Sequence, residues 1–220
     1  MGYFWKLVYA TLAIGIFAFN SEANAGVIYD NLPPITSNGG LDPVADDGPS
    51  YNSFSTGSSD LLLTDVKMLL QRSLGTPSHF TVSLLSDSSN TPGSLLKTLG
   101  TFSDSDLSIS ATVYDISVDS FALAANTRYW IELNTVPGAV STVEWNYASS
   151  AAGTGVSNEY WAYTPFGGLT VTANSDAPPG PYQMSVTTSS AVPEPGTLYQ
   201  ALAAIGVGIF VTARRRMACL

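Results

Sequence analysis

The sequence has almost no cysteine or histidine. Its 220 residues include one cysteine, Cys219, and one histidine, His79. A lone cysteine has no partner within the chain for a disulfide, and the metal-binding patterns H-E-x-x-H and C-x-x-C are absent. No G-x-S-x-G serine is present, so His79 has no local motif that would make it part of a Ser-His-Asp triad. The sequence therefore predicts no metal, no cofactor and a stability that comes from an ordinary hydrophobic core.

Basic residues are also scarce. The chain has 8 lysines and arginines against 17 aspartates and glutamates. Between Gly26 and Pro193 there are four basic and 15 acidic residues, a net charge of −11 with His79 neutral. Such a charge repels nucleic acid and anionic lipid, so we expect no nucleic-acid partner.

Long apolar runs occur only near the two ends of the sequence. The first run follows a single lysine and ends at Phe19. It is too short to span a membrane comfortably, and it leads into "SEANA", where Ala23 and Ala25 form a small-x-small cleavage signature before Gly26. The sequence predicts a secretory signal peptide over residues 1–25, with an uncleaved anchor as the alternative.

The second apolar run extends from Thr197 to Ala213 without a formal charge. Its length is at the lower limit for a transmembrane helix, and it lacks the polar face of a soluble core helix. We predict a transmembrane helix over residues 198–213 and a cytoplasmic basic tail over residues 214–220. The positive-inside rule assigns the preceding residues to the outside because three arginines follow the run, namely Arg214, Arg215 and Arg216.

A proline-rich segment directly precedes this helix. Residues 192–196 read V-P-E-P-G, and the two prolines fix φ and bias their neighbours toward extended backbone. We assign residues 191–197 to this motif and its linker. The order of motif, apolar run and arginines resembles the PEP-CTERM sorting signal of exopolysaccharide-producing Gram-negative bacteria. The recognition residues that this resemblance implies are Pro193, Glu194 and Pro195.

The resemblance implies a processing enzyme and a destination. In that family a membrane-bound cysteine transpeptidase, exosortase, recognises the motif and separates the protein from its helix. The expected route passes transiently through the inner membrane to the cell surface or extracellular matrix, in association with exopolysaccharide or a biofilm.

Residues 26–190 predict an exported all-β domain. Short runs rich in Val, Ile, Thr, Tyr and Phe are separated by Gly, Pro, Asn, Asp and Ser. "HFTVSLLS", "TVYDISV", "RYWIELN" and "YQMSV" alternate with the period of a half-buried strand. "LLLTDVKMLLQRS" fits both helix and strand periodicity, and we favour a strand. Pro92 and Gly93 predict a type II turn.

About ten strands in about 160 residues predict a jelly-roll-like antiparallel β-sandwich. Stretches including "VIYDNLPP", "YNSFSTGSSDLLLTDVKMLLQ" and "LAANTRYWIELN" resemble the exported domains described as choice-of-anchor modules. That family implies an architecture and a sorting route, and no biochemical activity.

Candidate chemistry centres on acidic and aromatic residues. Glu132, Glu144 and Glu159 each lie within two residues of a tryptophan, a combination that glycoside hydrolases also use. Solvent-facing carboxylates beside core aromatics are the simpler interpretation, and we predict a non-enzymatic protein. A polysaccharide hydrolase is the less favoured alternative.

Carbohydrate binding is the main alternative function. Flat aromatic rings stack on sugars, and aromatics are concentrated in the second half of the sequence, where "NEYWAYTPFGG" predicts an exposed loop. Filling of the core by the same rings is the competing interpretation. The candidate glycan contacts are Trp130, Trp145, Tyr160 and Trp161.

Calcium is a further alternative for the acidic segment "LDPVADDGPS". Asp42, Asp46 and Asp47 lie there, and Asp30 precedes them, but the spacing matches no known calcium loop. An acidic solvated loop is the favoured interpretation.

Overall fold

The alternating segments of the sequence form β-strands. A computed structural model describes residues 26–44, 48–76, 78–136, 142–164, 168–176 and 179–191. Several predicted features lie outside the described residues: the signal peptide with Ala23 and Ala25, the sorting motif Pro193–Pro195, the helix over 198–213 and the arginines Arg214, Arg215 and Arg216.

Twelve strands and one 3-10 turn, Asp104–Asp106, make up the regular structure of the described residues. The strands are β1 (Gly26–Asp30), β2 (Asn38–Pro43), β3 (Ser50–Ser55), β4 (Leu61–Arg72), β5 (His79–Asp87), β6 (Pro92–Ser103), β7 (Thr112–Leu123), β8 (Arg128–Thr135), β9 (Val143–Ala148), β10 (Tyr160–Tyr163), β11 (Thr170–Ala173) and β12 (Met184–Ser190). No helix within the described ranges is long and apolar enough to cross a bilayer.

The strands form two six-stranded antiparallel sheets, which confirms the predicted all-β class. The first sheet has the order β1-β12-β4-β9-β2, with β7 on the other side of β4. The long strand β4 pairs with β12 along most of its length and with β9 only at its last residues, 70–72. The second sheet has the order β11-β10-β3-β8-β5-β6. A jelly-roll connectivity stays a prediction.

One hydrophobic core lies between the two sheets. The first sheet contributes Leu63, Val66 and Met184, and the second contributes Phe80 and Ile131, all fully buried. This is the face that the alternation of β5, β7, β8 and β12 predicts. The two layers therefore pack in a sandwich-like arrangement.

Aromatic contacts join the layers at two places. The ring of Tyr114 on β7 meets Phe80 and Phe102 of the other sheet edge-on, with centroids 6.0 and 5.4 Å away. Tyr182, which bridges to Tyr147 of β9 in the first sheet, meets Trp161 of β10 in the second sheet edge-on, with centroids 5.9 Å apart. Edge-on and offset stacked rings gain a quadrupole contribution beyond area burial, so both contacts stabilise the layer packing.

A β-bulge in β4 explains why this segment fits two periodicities. Leu63 and Asp65 pair with the consecutive residues Thr188 and Thr187 of β12, so Thr64 is the additional residue in β4. Leu63 and Val66 consequently both point into the core although they are three residues apart. That spacing imitates one turn of a helix, while the prediction of a strand is confirmed.

The predicted turn at Pro92 and Gly93 is wrong. Both residues belong to the start of β6, and the turn lies just before them. Ser88 and Thr91 exchange backbone hydrogen bonds of 2.9 and 3.3 Å, and the two residues between them have φ of 56° and 67°. Positive φ at both central positions matches the right-handed twist of the flanking strands, as in a type I′ hairpin.

Candidate functional site

The predicted glycan contacts lie mostly in the protein interior. Trp130 and Trp145 have no exposed surface, and Trp161 is 4% exposed. Trp145 uses its indole N–H to donate to the backbone oxygen of Gln183 at 3.0 Å, which satisfies its polar atom within the core. Of the four residues, Tyr160 is the one whose side chain is partly exposed. Glycan contact by this set stays a prediction, without a solvent-facing indole to support it.

The segment predicted as an exposed loop contains a strand. β10 alternates, so that Trp161 and Tyr163 stack on each other at 5.7 Å against the main core. Tyr160 and Ala162 face the opposite side of the sheet, where they pack with Trp130. The consecutive aromatics do point to two sides, but the outward side carries a single aromatic ring of β10.

A buried ion pair lies beside that ring. Arg128, the first residue of β8, donates its Nε–H to Oε2 of Glu159 at 3.0 Å, and Glu159 is 3% exposed. Ser53 on β3 donates its hydroxyl to the same carboxylate oxygen at 2.5 Å. The Ser53 hydroxyl in turn accepts the backbone N–H of Tyr160 at 2.8 Å. This chain of hydrogen bonds satisfies a carboxylate that would otherwise be costly to bury.

Arg128 joins several loops at this end of the second sheet. Its guanidinium donates to the backbone oxygen of Asn158 at 2.8 Å and to the side chain of Asn90 in the β5–β6 hairpin. It also lies 4.8 Å from the centroid of the Tyr160 ring, within range of a cation–π contact. All three guanidinium nitrogens of Arg128 donate hydrogen bonds, so this side chain stabilises the arrangement of these loops.

Uncharged polar side chains lie between this buried ion pair and the core. Tyr29 on β1 is fully buried, and burial raises the pKa of its hydroxyl, an effect that the neighbouring Asn52 and Asn174 side chains partly offset. Glu159 raises the same pKa through its charge. Asn174 also donates to the backbone oxygen of Val156 at 3.0 Å.

The other two candidate glutamates have separate partners. Glu132 lies on β8 between Tyr51 and Ser83, and burial raises the pKa of its carboxyl although hydrogen bonds with its neighbours oppose the shift. Glu144 lies on β9 in the first sheet and accepts a hydrogen bond from the Gln71 side-chain amide at 2.9 Å. Glu144 therefore belongs to a different sheet from Glu132, and each carboxylate has its own local partners.

Two of the four aspartates considered for calcium accept hydrogen bonds within the domain. Asp42 accepts a hydrogen bond from the Tyr182 hydroxyl at 2.8 Å, and Asp30 accepts from the backbone N–H of Leu32 at 3.1 Å. Asp46 and Asp47 lie outside the described residues. Among the residues that the structure describes, no group of three or more His, Cys, Asp or Glu side chains is placed to hold a metal ion.

The sequence did not single out a second charged cluster on the outer face of the first sheet. Lys67 and Asp115 are cross-strand neighbours, with Nζ and Oδ2 3.1 Å apart. Asp65 lies beside them, and burial together with its hydrogen bond to Asp115 raises its pKa to about 6. The same hydrogen bond, reinforced by Lys67, lowers the pKa of Asp115. The register of β4 against β7 brings Asp115 next to Asp65 and Lys67, which lie two residues apart on β4.

A comparison with known families matches a sorting motif in the C-terminal part of the sequence. Residues 191–216 match the PEP-CTERM protein-sorting motif, so the chain carries this signal directly after β12. The match confirms the resemblance to the PEP-CTERM sorting signal, and the resemblance to choice-of-anchor modules stays a prediction. No curated protein matches the chain.

Proposed function

We propose that this protein is an exported, non-enzymatic β-domain that exosortase cleaves at the sorting motif and that reaches the cell surface or extracellular matrix of a Gram-negative bacterium. The observation that carries this proposal is the PEP-CTERM match over residues 191–216. An acidic domain without an intramolecular disulfide suits such a route because it folds without an oxidant and stays soluble.

The packing of the acidic residues supports a non-enzymatic role. Glycoside hydrolysis needs one carboxyl group to donate a proton and a second to act on the opposite face of the sugar. Glu159 is neutralised by Arg128 and enclosed, and Glu144 is in the other sheet from Glu132. These positions favour structural roles for the three glutamates.

Deletion of Pro193–Pro195 tests the sorting step. We expect the deleted chain to keep its apolar tail and stay in the membrane fraction, while the unaltered chain is shortened and released. Intact mass of both products gives the cleavage positions. Replacement of Pro92, which lies in β6 and outside the motif, by alanine is the control and should be processed like the unaltered chain. Equal shortening of the deleted chain would contradict the proposal.

Association with exopolysaccharide is the finer part of the proposal, and the resemblance of the sorting signal to that of exopolysaccharide-producing bacteria supports it. We expect the protein to co-sediment with extracellular polysaccharide and to be released by depolymerising that polysaccharide. A glycan array separates embedding from recognition, because a specific binding module would select one glycan class and would lose that selection in Tyr160→Ala. Release that does not depend on the polysaccharide would count against the association.

A further inference from the structure

The two ends of the described domain meet in the first sheet. Gly26, the first residue of β1, pairs with Thr188 of β12, and the Thr188 hydroxyl donates to the Gly26 backbone oxygen at 3.3 Å. Beyond Thr188, β12 continues with Ser189 and Ser190, which pair with Leu62 and Leu61 of β4. The strand thus stays in the sheet until one residue before the sorting match begins.

This arrangement leaves little free chain between the fold and the motif. Pro193 follows Ser190 by three residues. A fully extended chain spans at most about 3.3–3.6 Å per residue, so three residues after the last paired residue can span at most about 10 Å. If pairing were lost back to Thr188, the same reach would grow to about 17 Å. A peptidase that binds the motif as an extended strand would collide with the sheet if only about 10 Å of free chain were available.

The last two pairs of β12 are suited to opening. Ser189 and Ser190 pair with β4 on one side. Within the described residues no strand pairs with them on the other side, because β1 begins opposite Thr188. Their side chains are small hydroxyls and are partly exposed, whereas Met184 and Val186 further back are fully buried. Strand ends with few buried apolar contacts open at low free-energy cost, while the anchored part stays paired.

We infer that cleavage at the sorting motif is limited by the opening of the Ser189–Ser190 end of β12, so that the folded sheet controls access of the processing enzyme. The inference rests on the proposed function. Proteolysis of a segment that opens and closes rapidly follows the population of the open form, so the rate of processing should follow the pairing of these two residues.

The first test lengthens the free chain. Ten Gly and Ser residues inserted between Ala191 and Val192 let the motif reach the enzyme without unpairing β12, and we expect severalfold faster conversion in a pulse-chase measurement. The control carries the same insertion between Gly75 and Thr76, in the exposed segment after β4, and should be converted at the original rate.

The second test closes the strand end. Directly opposed residues of an antiparallel pair lie at a Cα separation that a disulfide can bridge. In a Cys219→Ser background, Leu62→Cys with Ser189→Cys should slow conversion severalfold, and a reductant should restore it. The matched control, Lys67→Cys with Asp115→Cys, links β4 to β7 in the same sheet and should have no effect.

The outcomes separate the two proposals. An unaltered chain that is never shortened would overturn the proposed function. A chain that is shortened normally, but at a rate that neither the linker nor the Leu62–Ser189 disulfide changes, would overturn the inference alone.

Discussion

Arg128 illustrates how one residue joins parts of the chain that are distant in sequence. It neutralises Glu159 and also contacts Asn90 and Asn158. We expect Arg128→Met to lower the free energy of unfolding by about 2 to 3 kcal/mol, because it leaves the Glu159 carboxylate buried without its charge partner. Urea unfolding measures the loss. Adding Glu159→Gln should recover part of it, and simple additivity of the two substitutions would contradict the role of the ion pair.

Asp65 gives a prediction of pH dependence at the same scale. Because its pKa rises from 3.8 to about 6 on folding, the folded protein binds an extra proton between those values. This stabilising contribution is complete below about pH 4 and is lost as the pH rises through 6.

Asp65→Asn tests this effect. The amide keeps a neutral hydrogen-bond donor beside Asp115, so we expect the variant to be more stable than the unaltered chain at pH 7 by about 1 kcal/mol after solvent screening. The difference should vanish near pH 4. Urea titrations at both pH values measure it, and a constant difference would contradict the assignment.

At the scale of elements, a glycine-rich loop protects the edge strand β1. Thr154 exchanges backbone hydrogen bonds of 2.9 and 3.0 Å with Asp30, and Gly153 and Gly155 flank it. Gly155 has φ of +66°, and a Cβ there would lie 2.1 Å from the backbone oxygen of Ile28. The absence of a side chain therefore permits the loop to approach the strand closely.

Gly155→Ala should destabilise the protein by about 2 kcal/mol, because the added methyl group meets backbone that cannot move aside cheaply. Gly57→Ala is the matched control, since nothing lies within 4 Å of its Cβ position. Thermal or urea unfolding of both variants measures the effect. Equal stability of the two variants would show that the loop can shift away from β1.

At the scale of the whole molecule, the described residues form one compact unit around a shared core. We expect a fragment of residues 26–191 to fold alone and to unfold in a single transition. Its buried tryptophans, Trp130, Trp145 and Trp161, report tertiary structure by fluorescence, and far-ultraviolet circular dichroism reports the strands. The two transitions should coincide, with or without reductant, because Cys219 lies outside the fragment. Separate transitions would contradict a single core.

Local patterns predicted much of this fold. Alternation identified the strands and their buried faces, and the strand assignment of residues 61–72 is confirmed. The hairpin before β6 was misplaced because Pro92 and Gly93 are strong turn formers. The positive φ of Ser89 and Asn90 depends on the twist of the strands they join. The sequence does not predict the bulge at Thr64 either, because a bulge depends on how two strands pair.

The sorting motif, the all-β class and the acidic charge can be predicted from the sequence alone, because each depends on residue type and spacing along the chain. Which charged side chains contact each other depends on the three-dimensional fold. Glu159 is 31 residues from Arg128 and 106 from Ser53, and Asp65 reaches Asp115 through strand register. The fold also placed the tryptophans in the interior and the end of β12 against β4. These outcomes depend on how two sheets pair and pack, and contacts between residues far apart in the chain have no local signature.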